Sequence, residues 1–294
     1  MSSSPERFRD VVIVGAGAAG GAAAAHLSSG GHDVVLLERD PEPRIKPCGG
    51  GMAASVQQWF PFSLEPAVEQ VVRQVDFSWC LRDPVVAELP GESPFWIVRR
   101  ERLDRLLADQ AGQNGAECHV GVTVTDVVQS DDHWSVIASD GQRWRTRSVV
   151  IADGSASPWP QRLGLGAKRV PTATTMSVRL EGQGNLKSGT TRFEFGLVKQ
   201  GFAWAFPVAG GVNIGVGSFI GKQDADPEQV LSQLLPDLGF SADAGLRQRG
   251  QLRVWNGHHR LNGNGIVVVG DAASLCDPFL AEGLRPALMS GCEA

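Results

Sequence analysis

Gly15, Gly17 and Gly20 have the types and spacing for a definite chemistry, the binding of a dinucleotide. They lie in residues 11–20, VVIVGAGAAG. Apolar β-formers end in Gly15-Ala16-Gly17-Ala18-Ala19-Gly20 and pass into the alanine-rich residues 21–27. That order reads as a buried parallel strand, a tight turn and a helix start. Gly15 allows the sharp turn, Gly17 lets the backbone approach a pyrophosphate, and Gly20 lets helix and strand pack closely. At the helix N-terminus, around Ala18 and Ala19, free N–H groups and the helix dipole favour a phosphate anion. A second strand, residues 33–37, closes on Glu38, whose carboxylate would accept hydrogen bonds from an adenosine ribose, with Arg39 beside it as a further cofactor contact. A merely glycine-rich turn would not need this context. NAD and FAD both remain open at this point.

Two later apolar runs also end as ligand crevices do in open α/β sheets. One closes on Asp153-Gly154-Ser155 and the other, residues 265–269, on Gly270-Asp271-Ala272-Ala273. Asp277-Pro278-Phe279 and Glu282-Gly283-Leu284-Arg285 follow, and Pro286 fits the first turn of a helix beginning near Glu282. That helix would turn its positive end to the crevice. Between the first strands and these lies Lys46-Pro47-Cys48-Gly49-Gly50-Gly51. Pro47 stiffens one side, and the glycines leave a backbone with no side chains to keep a flat ligand away. The alternatives are a mobile surface loop and, for Cys48, a packing role. Strand alternation puts Phe202, Trp204 and Phe206 on one face, as a core stripe or as the wall of an apolar cavity.

The positioning elements follow from pattern. Residues 39–51 read as a loop and 52–60 as a short helix. Residues 71–79 and Phe95–Val98 read as strands that cover something, with turns at Asp83-Pro84 and Pro90-Gly91. Leu103, Leu106, Leu107 and Ala111 fit one helical face, with most neighbouring arginines solvated. Residues 115–120 and 122–129 read as strands, followed by a hairpin, Trp134–Ala138 with residues 143–150, around Asp140-Gly141. From about Arg169 the texture becomes short strands between glycine turns (174–180, Thr190–Phe195, 201–207, 212–219). A helix over 226–235 is capped by Asp226, with Pro227 first.

Composition excludes several classes. The chain has 294 residues, with 27 basic against 32 acidic, so no nucleic-acid footprint is expected. Five scattered cysteines (48, 80, 118, 276, 292) without a CxxC pair argue against a disulfide framework or a metal site and for a reducing, cytoplasmic setting. The polar N-terminus MSSSPERFRD is no secretory signal. Residues 11–25 are uncharged but too short and glycine-broken for a membrane span.

Taken together, Gly15–Gly20, Asp153-Gly154 and Gly270-Asp271 resemble the FAD-dependent oxidoreductases of the glutathione-reductase-like class, in the branch that includes aromatic-ring hydroxylases. Lys46-Pro47-Cys48-Gly49-Gly50, Trp204-Ala205-Phe206-Pro207 with Val212-Asn213-Ile214-Gly215-Val216-Gly217, and Asp277-Pro278 with Glu282-Gly283 narrow this to the geranylgeranyl reductase family. The resemblance implies FAD as cofactor, with the ADP pyrophosphate on Gly15, Gly17, Ala18, Ala19 and Gly20. It puts the ribose on Glu38 and the ribityl–pyrophosphate on Asp271. Arg100, from Arg-x-x-Leu-Asp, would lie near the FAD. Arg39, Cys48, Gly49, Gly50, Asp153, Gly154, Gly270, Pro278, Gly283 and Leu284 complete the implied cofactor set. The Glu-Gly helix would stabilise the reduced ring, and Phe202, Trp204 and Phe206 would line a prenyl cavity. Phe202 stands where the family usually has tyrosine, and family members continue past the Glu-Gly helix into a further C-terminal region.

The implied fold is α/β, a Rossmann-type FAD-binding domain with a parallel sheet (8–75, 97–166, 255–294). Into it is inserted a mostly antiparallel substrate domain (76–96, 167–254). The implied activity is reduction of C=C bonds of a geranylgeranyl-type isoprenoid by hydride transfer from reduced flavin. Cys48 or an ordered water would be the proton donor, NADPH or a reduced ferredoxin the electron donor, and an apolar substrate implies peripheral membrane contact. Competing readings are a flavin monooxygenase of an aromatic substrate and a shortened flavin-binding protein without catalysis.

Overall fold

The computed structural model describes residues 8–218 and 226–294; Phe219 of the expected strand 212–219, and residues 1–7 of the N-terminus, lie outside the described residues. In chain order the elements are β1 (Phe8–Val14), α1 (Ala18–Ser29), β2 (Val34–Glu38), β3 (Gly51–Ala53), β4 (Val68–Val72), β5 (Gln74–Trp79), β6 (Arg82–Glu88) and β7 (Phe95–Val98). Then come α2 (Arg100–Gln113), β8 (Glu117–Val120), β9 (Val124–Gln129), β10 (Trp134–Ala138), β11 (Arg143–Ile151), α3 (Trp159–Arg162), β12 (Thr172–Glu181) and β13 (Thr190–Phe195). The last are β14 (Gly201–Val208), β15 (Gly211–Ser218), α4 (Pro227–Asp237), β16 (Gln248–Arg253), β17 (Asn262–Gly263), β18 (Ile266–Val268) and α5 (Leu284–Cys292).

The nucleotide-type sheet runs β17-β18-β11-β1-β2-β8, with β1, β2, β8, β11 and β18 parallel and β10 and β9 extending antiparallel from β11. Both faces of β1 are covered, which is why its sequence is a continuous apolar run rather than an alternation. The alanines of α1 let it lie flat between neighbours. A side chain at Gly20 would meet the Gly15 carbonyl oxygen at 1.8 Å, and one at Gly291 of α5 would meet the Ala19 carbonyl oxygen at 2.2 Å. This close packing aims the N-termini of α1 and α5 toward one cavity, whose lining includes residues of both.

A second sheet, ordered β16-β12-β15-β14-β13-β5-β6, is antiparallel except between β13 and β5. One face packs on α4 through Val178, Ala203, Ile214, Leu231 and Leu234. The other carries Phe202, Trp204 and Phe206, against Val72 and Ile97 of a small three-stranded sheet, β3-β7-β4.

Three local expectations are corrected. Residues 52–60 do not form one helix: Met52 sits in β3 opposite Trp96 of β7, and only Ala54–Trp59 turns, as a 3-10 helix. The open partner edge of β7 outweighs local helix preference there. Residues 71–79 are two strands in different sheets, parted at Arg73, whose N–H donates to the Gly189 carbonyl at 3.2 Å. The turn assigned to Asp83-Pro84 lies at Cys80-Leu81, with φ of 50° and 62°, while Asp83 and Pro84 belong to β6. Pro84 is tolerated because β6 is an edge strand.

Candidate active site

The ends of β1 and β11 and the loop after β18 converge on a cavity of about 230 Å³ that continues to the aromatic face of the second sheet. Its lining holds Gly17, Ala18 and Ala19 of the first turn, Cys48, Gly49 and Gly50 of the glycine loop, Arg100, Gly154, Asp271, Gly283 and Leu284, with Phe202, Trp204 and Phe206 opposite. Gly15, Gly20, Glu38, Arg39, Asp153, Gly270 and Pro278 are not part of that lining. Gly15 and Gly20 act behind it. Gly15 has φ +99°, and a side chain there would strike the Ala152 carbonyl oxygen at 2.5 Å.

No side chain caps α1 at Gly17 or α5 at Gly283, so the first N–H groups of both helices are left for a ligand. Nothing would obstruct a side chain at Gly17 within 4 Å, so this position is open toward an incoming group. Between the two helix ends burial pushes the Asp271 carboxyl above the usual carboxylate range, against the opposing charges of Lys46, Arg100 and Arg253. Burial raises the Asp153 carboxyl as well, and its Oδ1 is buried without a hydrogen-bond partner. Glu282 is likewise raised by burial, with Oε1 unpartnered. Buried acceptors without donors beside uncapped helix ends suit a group bearing both hydroxyls and phosphates. The thiol of Cys276 is pushed up to about 12 by burial and by the Asp271, Asp277 and Glu282 carboxylates, so it stays protonated.

Glu38 is engaged by its own chain. Oε2 accepts the Ala16 N–H at 2.8 Å and a hydrogen bond from Arg44 Nη1, and Oε1 accepts the Asp40 N–H at 2.9 Å. Arg44 Nη2 also donates to the Ala16 carbonyl at 2.6 Å and to Asp104 at 3.1 Å. Asp104 in turn takes a two-pronged pair from Arg100, at 3.1 Å and 2.9 Å. Burial alone would lower the Arg100 guanidinium, but Asp104 and neighbouring Cys48 hold it raised, so it stays a cation at the cavity wall. A charged chain therefore runs from the end of β2 to the cysteine loop. Arg44 has no spacing signal: its partner Asp104 is 60 residues away.

The glycine loop is built for close packing as well as ligand access. A side chain at Gly49 would stand 2.9 Å from the Phe206 ring, and one at Gly51 2.8 Å from Phe95. Gly50 has φ +80°, and a side chain there would hit the Val98 carbonyl oxygen at 2.2 Å. The Gly50 N–H donates to Cys48 Sγ at 3.3 Å. Trp204 Nε1 donates to Asn213 Oδ1 at 3.1 Å, and Asn213 Nδ2 donates to the Cys48 carbonyl at 3.2 Å. Asn213 thus clamps the loop to the aromatic strand. Phe95, Phe193, Thr175 and Ser177 also line the cavity. They escape sequence reading because their place depends on strand order.

Among known proteins, the family described as lycopene cyclase protein matches residues 10–182. The menaquinone reductase of Mycobacterium tuberculosis is 29% identical over 96% of this chain and 74% of its own. Digeranylgeranylglycerophospholipid reductase 2 of Methanothermobacter thermautotrophicus is 28% identical over 94% and 74%. The structure of a geranylgeranyl bacteriochlorophyll reductase-like protein from Thermoplasma acidophilum superposes with a TM-score of 0.86, at 22% identity, over 97% of this chain and 76% of that one. A point mutant of the halogenase PltM, crystallised with FAD, superposes at 0.75 with 18% identity over 96% and 68%. The fold is that of FAD-dependent oxidoreductases, and the branch expected from the motifs is the one these relatives represent.

Proposed function

The chain belongs to the lycopene cyclase protein family, and from that premise we propose that it is an FAD-dependent reductase of isolated C=C bonds in an isoprenoid chain carried by a lipid. One observation carries the reading: a single cavity joins two uncapped helix ends and Asp271 to a wall of Phe202, Trp204 and Phe206. The names of the menaquinone and digeranylgeranylglycerophospholipid reductases support the choice of substrate class.

FAD, when bound, supplies the hydride chemistry. The N–H groups at Ala18 and Ala19 would hold its pyrophosphate, Glu38 and Arg44 the adenosine end, and Asp271 and the α5 N-terminus its other half. An isolated alkene offers no polar handle, so the aromatic wall must orient it and keep water out. Cys48 Sγ, which lines the cavity beside Arg100, would give the proton that completes saturation, with an ordered water as the other donor. Arg100 positions the thiol and keeps positive charge at that wall. NADPH or a reduced ferredoxin would supply electrons. The substrate's apolarity implies contact with a membrane surface; no helix of the described residues is long and apolar enough to cross one.

The test is turnover under argon with chemically reduced FAD and a geranylgeranyl-bearing lipid. The recovered lipid should be heavier by a pair of hydrogens for each reduced double bond, and Cys48→Ser should slow this while retaining FAD. Product formed only from aromatic substrates, and only with oxygen, would instead indicate a monooxygenase.

A further inference from the structure

The aromatic wall of the cavity does not stop at the cavity. Residues paired directly across neighbouring strands lie on the same face of a sheet. The registers place Ser177, Gly215, Trp204, Phe193, Phe77 and Val85 opposite one another in turn, across β12, β15, β14, β13, β5 and β6. One row therefore crosses six strands from the cavity to the sheet edge. From Gly215 to Val85 it covers roughly 19 Å at the usual strand spacing. Exposure rises along it: Trp204 is 7% exposed, Phe193 half-buried, Phe77 38% and Val85 63%. The rings of Phe77 and Phe193 stack at 5.9 Å and 23°, and Phe193 meets Phe206 edge-on at 5.3 Å. A parallel row carries Phe195 to Trp79, which is 64% exposed.

An apolar stripe that begins inside a ligand cavity and opens onto the surface differs from scattered surface residues. Strand addition by another chain is disfavoured at this edge, because β6 carries Arg82, Asp83, Pro84 and Glu88. Continuity with the cavity selects the occupant. We propose that the row from Trp204 through Phe193 and Phe77 to Val85 is the groove for the distal apolar tail of the substrate. The reacting segment then lies against Trp204 and Phe206, while the tail crosses the strands and leaves at the β5–β6 hairpin. This rests on the isoprenoid reading above and adds the direction and length of the site. Affinity should accordingly rise with chain length as each added unit covers another strand.

Binding of geraniol, farnesol and geranylgeraniol to the FAD-reconstituted protein tests it by calorimetry. The variants are Val85→Lys and Phe77→Ser, with Val86→Lys as control on the opposite face of β6, where Val86 pairs with Asp76. V85K should weaken geranylgeraniol about tenfold or more while leaving geraniol within about twofold, since only the longer chain reaches the edge. F77S should show the same length dependence, and V86K should alter neither ligand. Equal losses for both alcohols, no loss, or the same loss in V86K would overturn the groove. So would loss of vesicle binding by V85K without any dependence on alcohol length, which would make this face a membrane contact. Length-dependent binding, together with no reduction of a geranylgeranyl-bearing lipid by the same protein with its FAD chemically reduced under argon, would keep the groove and refute the reductase reading.

Discussion

At Asp271, burial opposes three nearby cations and wins, so the folded-state pKa lies above the unfolded one. The folded apoprotein holds this proton more tightly, and stability falls as pH rises from the ordinary carboxylate value, about 4, through the folded pKa. Asp271→Asn removes that loss. The flavin-free D271N protein should melt above the parent at neutral pH, and the gap should close on acidification to about pH 4. A gap independent of pH in thermal melts would contradict the assignment. Asp271→Ala should lose flavin on gel filtration with its circular dichroism unchanged. Gly49 is a second sensitive position. Gly49→Ala drives a methyl toward Phe206 and Trp204, an overpacking cost of about 1–3 kcal/mol. Urea unfolding should show it as a lower midpoint at unchanged slope.

Among the elements, the loop 46–51 and strands β14 and β15 depend on each other through Asn213. Asn213→Ala leaves the Trp204 indole N–H buried without a partner, costing roughly 1–3 kcal/mol, and frees the Cys48 carbonyl. Cys48 should then alkylate faster than in the parent, whereas labelling of exposed Cys80 should not change. A uniform loss of stability with no change at Cys48 would reduce Asn213 to a packing residue. The strand ends at Gly15, Asp153 and Gly270 were legible because both faces of a parallel sheet are buried, leaving apolar runs closed by glycine. The Cys80-Leu81 turn was not legible, since cysteine and leucine do not favour positive φ, whereas Asp83, itself at φ 51°, and Pro84 draw the reading further along the chain. Nor was the second duty of Gly49 and Gly51, because the rings they meet, Phe206 and Phe95, come from distant strands. Cys48, Arg100 and Trp204 could each be named from motifs; the Asn213 clamp and the Arg44 chain between them appear only after folding.

Over the whole molecule, a parallel sheet that presents helix N-termini and an antiparallel sheet that presents aromatic rings meet at one cavity. The same fold hosts halogenases, so the architecture alone does not select the reaction. What distinguishes a reductase is where the electrons go. The decisive measurement follows the flavin absorbance of the FAD-reconstituted, photoreduced protein by stopped flow, with oxygen removed, on mixing with a geranylgeranyl lipid. The flavin should reoxidise in step with loss of a double bond from the lipid, more slowly in C48S, and not at all with the fully saturated lipid. Flavin that stays reduced until oxygen is admitted, whatever the lipid, would contradict the account.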